Sequence, residues 1–323
     1  MPAFNHFVVL VNPASTNAAR VEHSISELRR MYPAGEVVVR HTLPTEKANR
    51  RQIARWAAGF RPGTLLCIGA GDGTVNLVVE VLLQAPGLSA EARRTPILPL
   101  WGGNANDLAC MLNGPAGRQD MHSLLAKGEV VPIHPLVCRL ASAGGQRTHK
   151  IAICYASFGA TAFAAERLNR PRHRNNPLHR LPGGRFLSEF AAGFAALMGA
   201  PTFRVREADD LKVIYERTFT NGSRFAKIDR LPLRLTDQVF YLHTLENKRL
   251  LSVLPRLAEL MQKRYAGKFL HNHAAFTLEE ATLAQFDGET VPIAADTSIT
   301  VELSTDPFYA YSTRLKSRDR GGA

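Results

Sequence analysis

Residues 68–76 read IGAGDGTVN. An apolar run ends in three glycines set around one aspartate, and a second apolar run follows at once. The first run, 64–70 (TLLCIGA), has strand length and no polar alternation, so it reads as a strand buried on both faces. The second, 74–85 (TVNLVVEVLLQA), is long enough for a helix. A tight glycine turn between buried strand and helix points to a parallel sheet, because such sheets need crossover helices.

The surrounding sequence repeats this grammar. Residues 6–12 (HFVVLVN), 36–41 (EVVVRH) and 95–101 (TPILPLW) are further strands. Residues 17–31 and 45–60 carry helical periodicity, with Thr45 placed as an N-cap, and a helix starts near 105–107. Past about residue 130 the pattern becomes short strands. They include a Gly144-Gly145 hairpin, the runs 202–208, 211–219, 224–228 and 238–245, and strands across 274–304. Helices are expected near 159–169, 184–198 and 249–265. The expected fold class is α/β plus β: an N-terminal doubly wound parallel-sheet domain over 1–131, a C-terminal β-sandwich domain over 132–313, and a basic tail over 314–323. A chain of 323 residues fits two domains.

Composition narrows the classes. No apolar run approaches the roughly 20 residues of a membrane span, and the N-terminus shows no secretory signal pattern. The four cysteines, Cys67, Cys110, Cys138 and Cys154, lack metal-ligand spacing and read as reduced, core-packed thiols of a cytoplasmic protein. The net charge of +12 favours anionic partners. Residues 167–185 hold Arg167, Arg170, Arg172, Arg174, Arg180 and Arg185. The segment reads either as a solvated basic loop or as a contact for anionic membrane or phosphorylated substrate. No aromatics interleave its arginines, so no nucleic-acid partner is expected.

Three polar turns follow the predicted parallel strands: NPAS at 12–15, GAGDGT at 69–74 and GGNAND at 102–107. Ligands of such sheets bind at the C-terminal ends of the strands. A glycine turn entering a helix offers free N–H groups and the positive helix end to phosphate. Asp72 would then face a cation or an acceptor hydroxyl, or else simply cap its turn. Asn104, Asn106 and Asp107 supply amide and carboxylate groups, although Asp107 alone would serve as an N-cap. Asp287, Gly288 and Glu289 form a D-G-E turn that, taken singly, reads as an ordinary β-turn.

Together, NPAST, GAGDGTVNL, GGNANDLA and DGE resemble, in order and spacing, the motifs of the diacylglycerol-kinase-type lipid kinases. That family includes sphingosine, ceramide and soluble bacterial lipid kinases, and is related to NAD kinases. The resemblance implies a phosphofructokinase-like nucleotide domain, a β-sandwich domain and a cleft between them. It implies ATP held by Asn12, Pro13, Ser15, Thr42, Gly71, Gly73, Thr74, Asn76, Gly103, Asn104, Asn106 and Asp107. Asp72, Asp287 and Glu289 would be catalytic, managing Mg2+ and the acceptor hydroxyl, with Asp287 as a metal ligand. The implied partners are a nucleotide, a lipid substrate and the inner face of an anionic membrane touched peripherally, with a homodimer left open. A kinase with a soluble acceptor and a non-catalytic homologue are the alternatives. This sequence departs from the family at Thr16, Ala70, Leu77 and Asn104. At Pro232–Gln238 (PLRLTDQ), the stretch matching a structural Mg2+ motif of the family, Asp237 survives as a doubtful metal ligand, but Gln238 takes the glycine position.

Overall fold

The computed structural model describes residues 4–33, 35–103, 105–115, 120–169, 184–225, 228–229, 233–246 and 270–316. β1 (His6–Val11), β2 (Glu36–His41), β3 (Thr64–Gly69) and β4 (Ile97–Pro99) pair in parallel in the order β2-β1-β3-β4. The unbroken apolar runs of β1, β3 and β4 are explained by burial on both faces, whereas β2, at the sheet edge, has no fully buried residue. Phe7, Val9, Val11, Leu65 and Cys67 pack with Val21, Ile25 and Leu28 of α1 (Ala18–Met31). Val8, Leu10, Leu66 and Ile68 pack instead with Ile53 and Ala57 of α2 (Glu46–Ala57) and Val75 and Val78 of α3 (Asp72–Gln84). Thr45 caps α2 as expected, its hydroxyl accepting the Ala48 N–H. The short α4 (Ala90–Arg93) leads into β4. α5 (Asp107–Asn113) and α6 (Met121–Lys127) follow it.

α3 begins at Asp72, two residues earlier than its apolar run suggests. Gly71 is extended (φ −78°, ψ 169°) and serves as N-cap. The aspartate therefore occupies the first helical turn, where a negative charge complements the helix dipole.

The first sheet is completed from the far end of the chain. β5 (Glu129–Ile133), which contains residue 131, pairs antiparallel with β19 (Phe308–Ser312), and β19 pairs in parallel with β4. Between them the chain builds an antiparallel β region around β6 (Leu136–Ser142), β7 (Arg147–Ala152), β8 (Tyr155–Gly159), β9 (Phe203–Glu207) and β10 (Asp210–Thr220). β13 (Phe240–Glu246), β14 (Leu270–His271), β15 (His273–Leu278), β16 (Thr282–Phe286), β17 (Glu289–Ile293) and β18 (Thr297–Leu303) complete it. The expected two-part class, parallel α/β then antiparallel β, is thus the architecture found. Its core is rich in phenylalanine. The Phe158 ring meets Phe219, Phe276 and Phe286 edge-to-face at 5.5–6.2 Å, a favoured aromatic geometry.

The run at 224–228, read as one strand, is two short paired strands, β11 (Arg224–Phe225) and β12 (Ile228–Asp229). The helices α7 (Ala160–Asn169) and Gly184–Gly199 match expectation. The helix expected at 249–265 and most of the arginine-rich segment lie outside the described residues. All four cysteines are buried thiols. No helix among the described residues is long and apolar enough to cross a membrane.

Glu216, buried within β10, receives the Thr161 N–H at 2.9 Å and the hydroxyls of Thr161 and Thr218 at 2.5 Å each. Burial outweighs these donors and raises its pKa to about 7. The native state therefore holds this proton while the unfolded chain has released it. Stability falls as pH rises from the unfolded value of about 4.5 and levels above about 7. In Glu216→Gln that contribution is gone. The Tm difference, variant minus wild type, should grow through this window and then flatten. A difference independent of pH would show that Glu216 does not titrate there.

Candidate active site

Three turns meet at the C-terminal ends of β1, β3 and β4. The Asn12 N–H donates to Gly69 O at 3.3 Å, and the Asn12 side chain closes its own turn by accepting the Ala14 N–H. Asn17 joins this turn to the third: its backbone N–H donates to Gly102 O at 3.1 Å and its amide to Gly103 O at 2.7 Å. Nothing in the sequence reading singled out Asn17, although it adjoins the NPAST motif.

The glycines are required by proximity. A Cβ on Gly102 would stand 2.6 Å from Ala70 N, and one on Gly103 would stand 2.4 Å from Gly71 Cα. The second and third turns are pressed backbone to backbone, which only glycine permits. Ala70, where the family has glycine, is buried and is not among the residues with positive φ, so the replacement is accommodated without strain. Leu77, in place of an acidic residue, is buried in the core.

Asn106 has a left-handed backbone (φ 53°). Its side chain accepts the Gly103 N–H and donates to Gly103 O, both at 2.8 Å. It shapes the turn. Asn76 likewise donates inward, to Ile151 O at 2.8 Å, tying α3 to the end of β7. Pro13 is exposed, and Ser15, Thr42, Gly71, Gly73 and Thr74 are half-buried around the same strand ends. The Ser15 hydroxyl has no partner among the described residues. Thr42 continues from β2 with its N–H on Val11 O. Asn104 lies outside the described residues.

Asp72 spans the second and third turns. One carboxylate oxygen accepts the Asp107 N–H at 3.1 Å, the other the Leu108 N–H at 3.4 Å, so it sits on the first turn of α5. Burial, then the nearby Asp107 charge, raises its pKa to about 6. Asp107 is itself buried and receives Arg224 Nε at 2.7 Å. Arg224 was not foreseen. It is 117 positions away from Asp107, and no local pattern marks it.

The D-G-E turn arrives from the antiparallel region. Asp287 (φ 49°) and Gly288 (φ 90°) form a two-residue turn joining β16 to β17, with Phe286 paired to Glu289. Left-handed backbone at both positions is the hairpin geometry that Asp-Gly favours. The Asp287 carboxylate accepts three buried backbone N–H groups, from Ile153 at 2.5 Å and from Cys154 and Tyr155 at 2.9 Å. Burial nevertheless raises its pKa to about 7. Glu289 reaches the second turn: a Cβ on Gly73 would meet its Oε1 at 3.3 Å. Burial, then the Glu46 charge, raises the Glu289 pKa, although much of the residue is exposed.

Among the described residues no group of three or more His, Cys, Asp or Glu side chains is gathered to hold a metal. Asp237 accepts the Arg234 N–H at 2.8 Å within a local turn, and Pro232 lies outside the described residues. The residues present suit a Mg2+ that arrives with nucleotide phosphates and keeps several waters, with half-buried Asp72 as the neighbouring carboxylate. They do not build a protein cage.

Fold and site define a two-part protein with glycine turns on an α/β layer and a carboxylate delivered by an antiparallel layer. Residues 6–138 match the model of the diacylglycerol kinase catalytic domain. A diacylglycerol kinase structure from Bacillus anthracis aligns at TM-score 0.58 and 14% identity, covering 96% of this chain and 97% of that one. A second structure from the same organism reaches 0.63 at 16%, covering 95% and 96%. Yeast NADH kinase complexed with NADH aligns at 0.50 and 12%, covering 98% and 85%. At these identities the likeness shows the fold alone. No curated relative matches the chain.

Proposed function

We propose that this protein is an ATP-dependent kinase that transfers the γ-phosphoryl group to the hydroxyl of a lipid of diacylglycerol or sphingoid type. The observation that carries the reading is the meeting of Glu289 with Gly73 beside Asp72. Two carboxylates from separate layers flank a backbone cradle suited to phosphates. Those N–H groups of the second and third turns that are not already taken by Asp72, Asn106, Gly71 or Leu100 would hold the phosphates, with Ser15 and Thr42 at the rim. Asp72 and Glu289 would stand on the acceptor side, orienting the hydroxyl and taking its proton as the oxygen attacks phosphorus in line. Mg2+, when bound with ATP, would neutralise phosphate charge. Asp287 would fix the turn that presents Glu289. With a net charge of +12, the protein would meet its lipid by peripheral contact with anionic membrane at the cytoplasmic face.

The test is transfer from radiolabelled ATP to three acceptors: lipid extract in anionic vesicles, the same extract in zwitterionic vesicles, and a soluble metabolite pool containing NAD. Labelled product is identified by mass spectrometry. We expect labelled lipid, more of it from anionic vesicles, and a Tm raised by ATP with Mg2+ through mass action. Label confined to the soluble pool would establish the NAD-kinase-like alternative. A Tm shift without transfer to any acceptor would establish a non-catalytic binding protein.

A further inference from the structure

Glu289 is held from both sides by one helix. Its neighbour Gly288 accepts a hydrogen bond through its carbonyl from Asn169 Nδ2 at 3.2 Å. Its other neighbour, Thr290, donates its hydroxyl to Glu166 Oε2 at 2.7 Å. Glu166 and Asn169 are three apart near the end of α7, so they share one helix face. The opposite end of α7 is anchored in the β core, where the Thr161 N–H and hydroxyl both reach buried Glu216. The helix is therefore fixed at one end to the core and at the other grips the turn on both flanks of the carboxylate.

We propose that α7 is the mount for Glu289, and that Glu166 and Asn169 are positioning residues for the acceptor side of the transfer. The inference rests on the reading of Glu289 as a working carboxylate. Two grips on adjacent residues restrict both translation and twist of the turn, and small displacements of a reacting group are costly in rate. Neither residue belongs to a motif of the sequence. They become visible only when α7 is packed over β16 and β17.

The test uses the full chain with ATP, Mg2+ and whichever acceptor the transfer assay identifies. Asn169→Ala and Glu166→Ala should each lower kcat by about tenfold, the size expected from losing one hydrogen bond, with ATP affinity unchanged. Glu166→Gln keeps a carbonyl acceptor for the Thr290 hydroxyl and should restore most of the rate. In a Glu289→Gln background the two alanine substitutions should add no further loss, because they act through the missing carboxylate. Equal losses in both backgrounds would overturn the proposal in favour of a general structural role. Wild-type rates in both alanine variants, with Glu289→Gln slow, would overturn it while leaving the reading of Glu289 intact. A fully active Glu289→Gln would overturn that reading first. A readout independent of turnover is hydrogen exchange at residues 287–290. It should quicken in Asn169→Ala and Glu166→Ala, and unchanged exchange would also overturn the proposal.

Discussion

Asp72→Asn should keep its fold and its ATP affinity while kcat falls by at least about a hundredfold, the lower range for loss of a general base. The side chain accepts two backbone N–H groups at the start of α5, at 3.1 and 3.4 Å. Asparagine retains one oxygen for the shorter bond. The amide group set against the second N–H costs about 1–3 kcal/mol, typical of one unsatisfied donor. Removing a charge that repels Asp107 and disfavours burial acts in the opposite direction. Stability should therefore change little, and phosphate binding should hold or tighten. The rate cannot be rescued in this way, because an amide neither takes a proton nor binds Mg2+ well. In the wild type the carboxylate protonates as pH falls through about 6, so the transfer rate should decline below that pH. Stopped-time transfer assays across pH, beside ATP titration by calorimetry, check both parts. A variant that keeps near wild-type kcat would make Asp72 an α5 cap and nothing more.

The first layer was readable because its physics is local. Strands buried on both faces leave apolar runs such as 64–70, and the glycines that let Gly71 and Gly103 touch stand beside those runs in the sequence. The chain's return through β19 was not readable. Phe308, Ala310 and Tyr311 look like any short strand, and their partners in β5 lie about 180 positions earlier. The candidate site divides along the same line. Asp72 and the D-G-E turn carry motif signals. Arg224, Asn17, Glu166 and Asn169 work through contacts set by packing, which no spacing rule encodes. The motifs also do not announce which of their polar groups face outward. Asn106 and Asn76, expected to meet nucleotide, spend their amides on Gly103 and Ile151. Their side chains maintain the turns.

Asp287→Ala should cost several kcal/mol of stability, in contrast to the rate-only loss at Asp72. Its carboxylate is the acceptor for the N–H groups of Ile153, Cys154 and Tyr155, and the residue is buried. Each donor stranded without water costs about 1–3 kcal/mol. Alanine also tolerates the left-handed backbone at this position (φ 49°) less well than aspartate, by about 1 kcal/mol. Set against a typical total of about 5–15 kcal/mol, the sum brings the protein close to unfolding. Asp287→Asn separates the causes. One oxygen carries the bonds to both Cys154 and Tyr155, so the amide oxygen can keep two of the three, and asparagine accepts left-handed backbone. Its loss should be about one bond. The pH dependence has a definite sign. Burial raises the folded pKa to about 7 from 3.8, so wild-type stability contributed by this group falls as pH rises between those values and is level above them. Asparagine abolishes that slope, and urea denaturation at pH 5 and pH 8 measures it directly. Alanine within about 1 kcal/mol of wild type at both pH values would mean that residues 153–155 find other acceptors. The turn presenting Glu289 would then be held chiefly by α7.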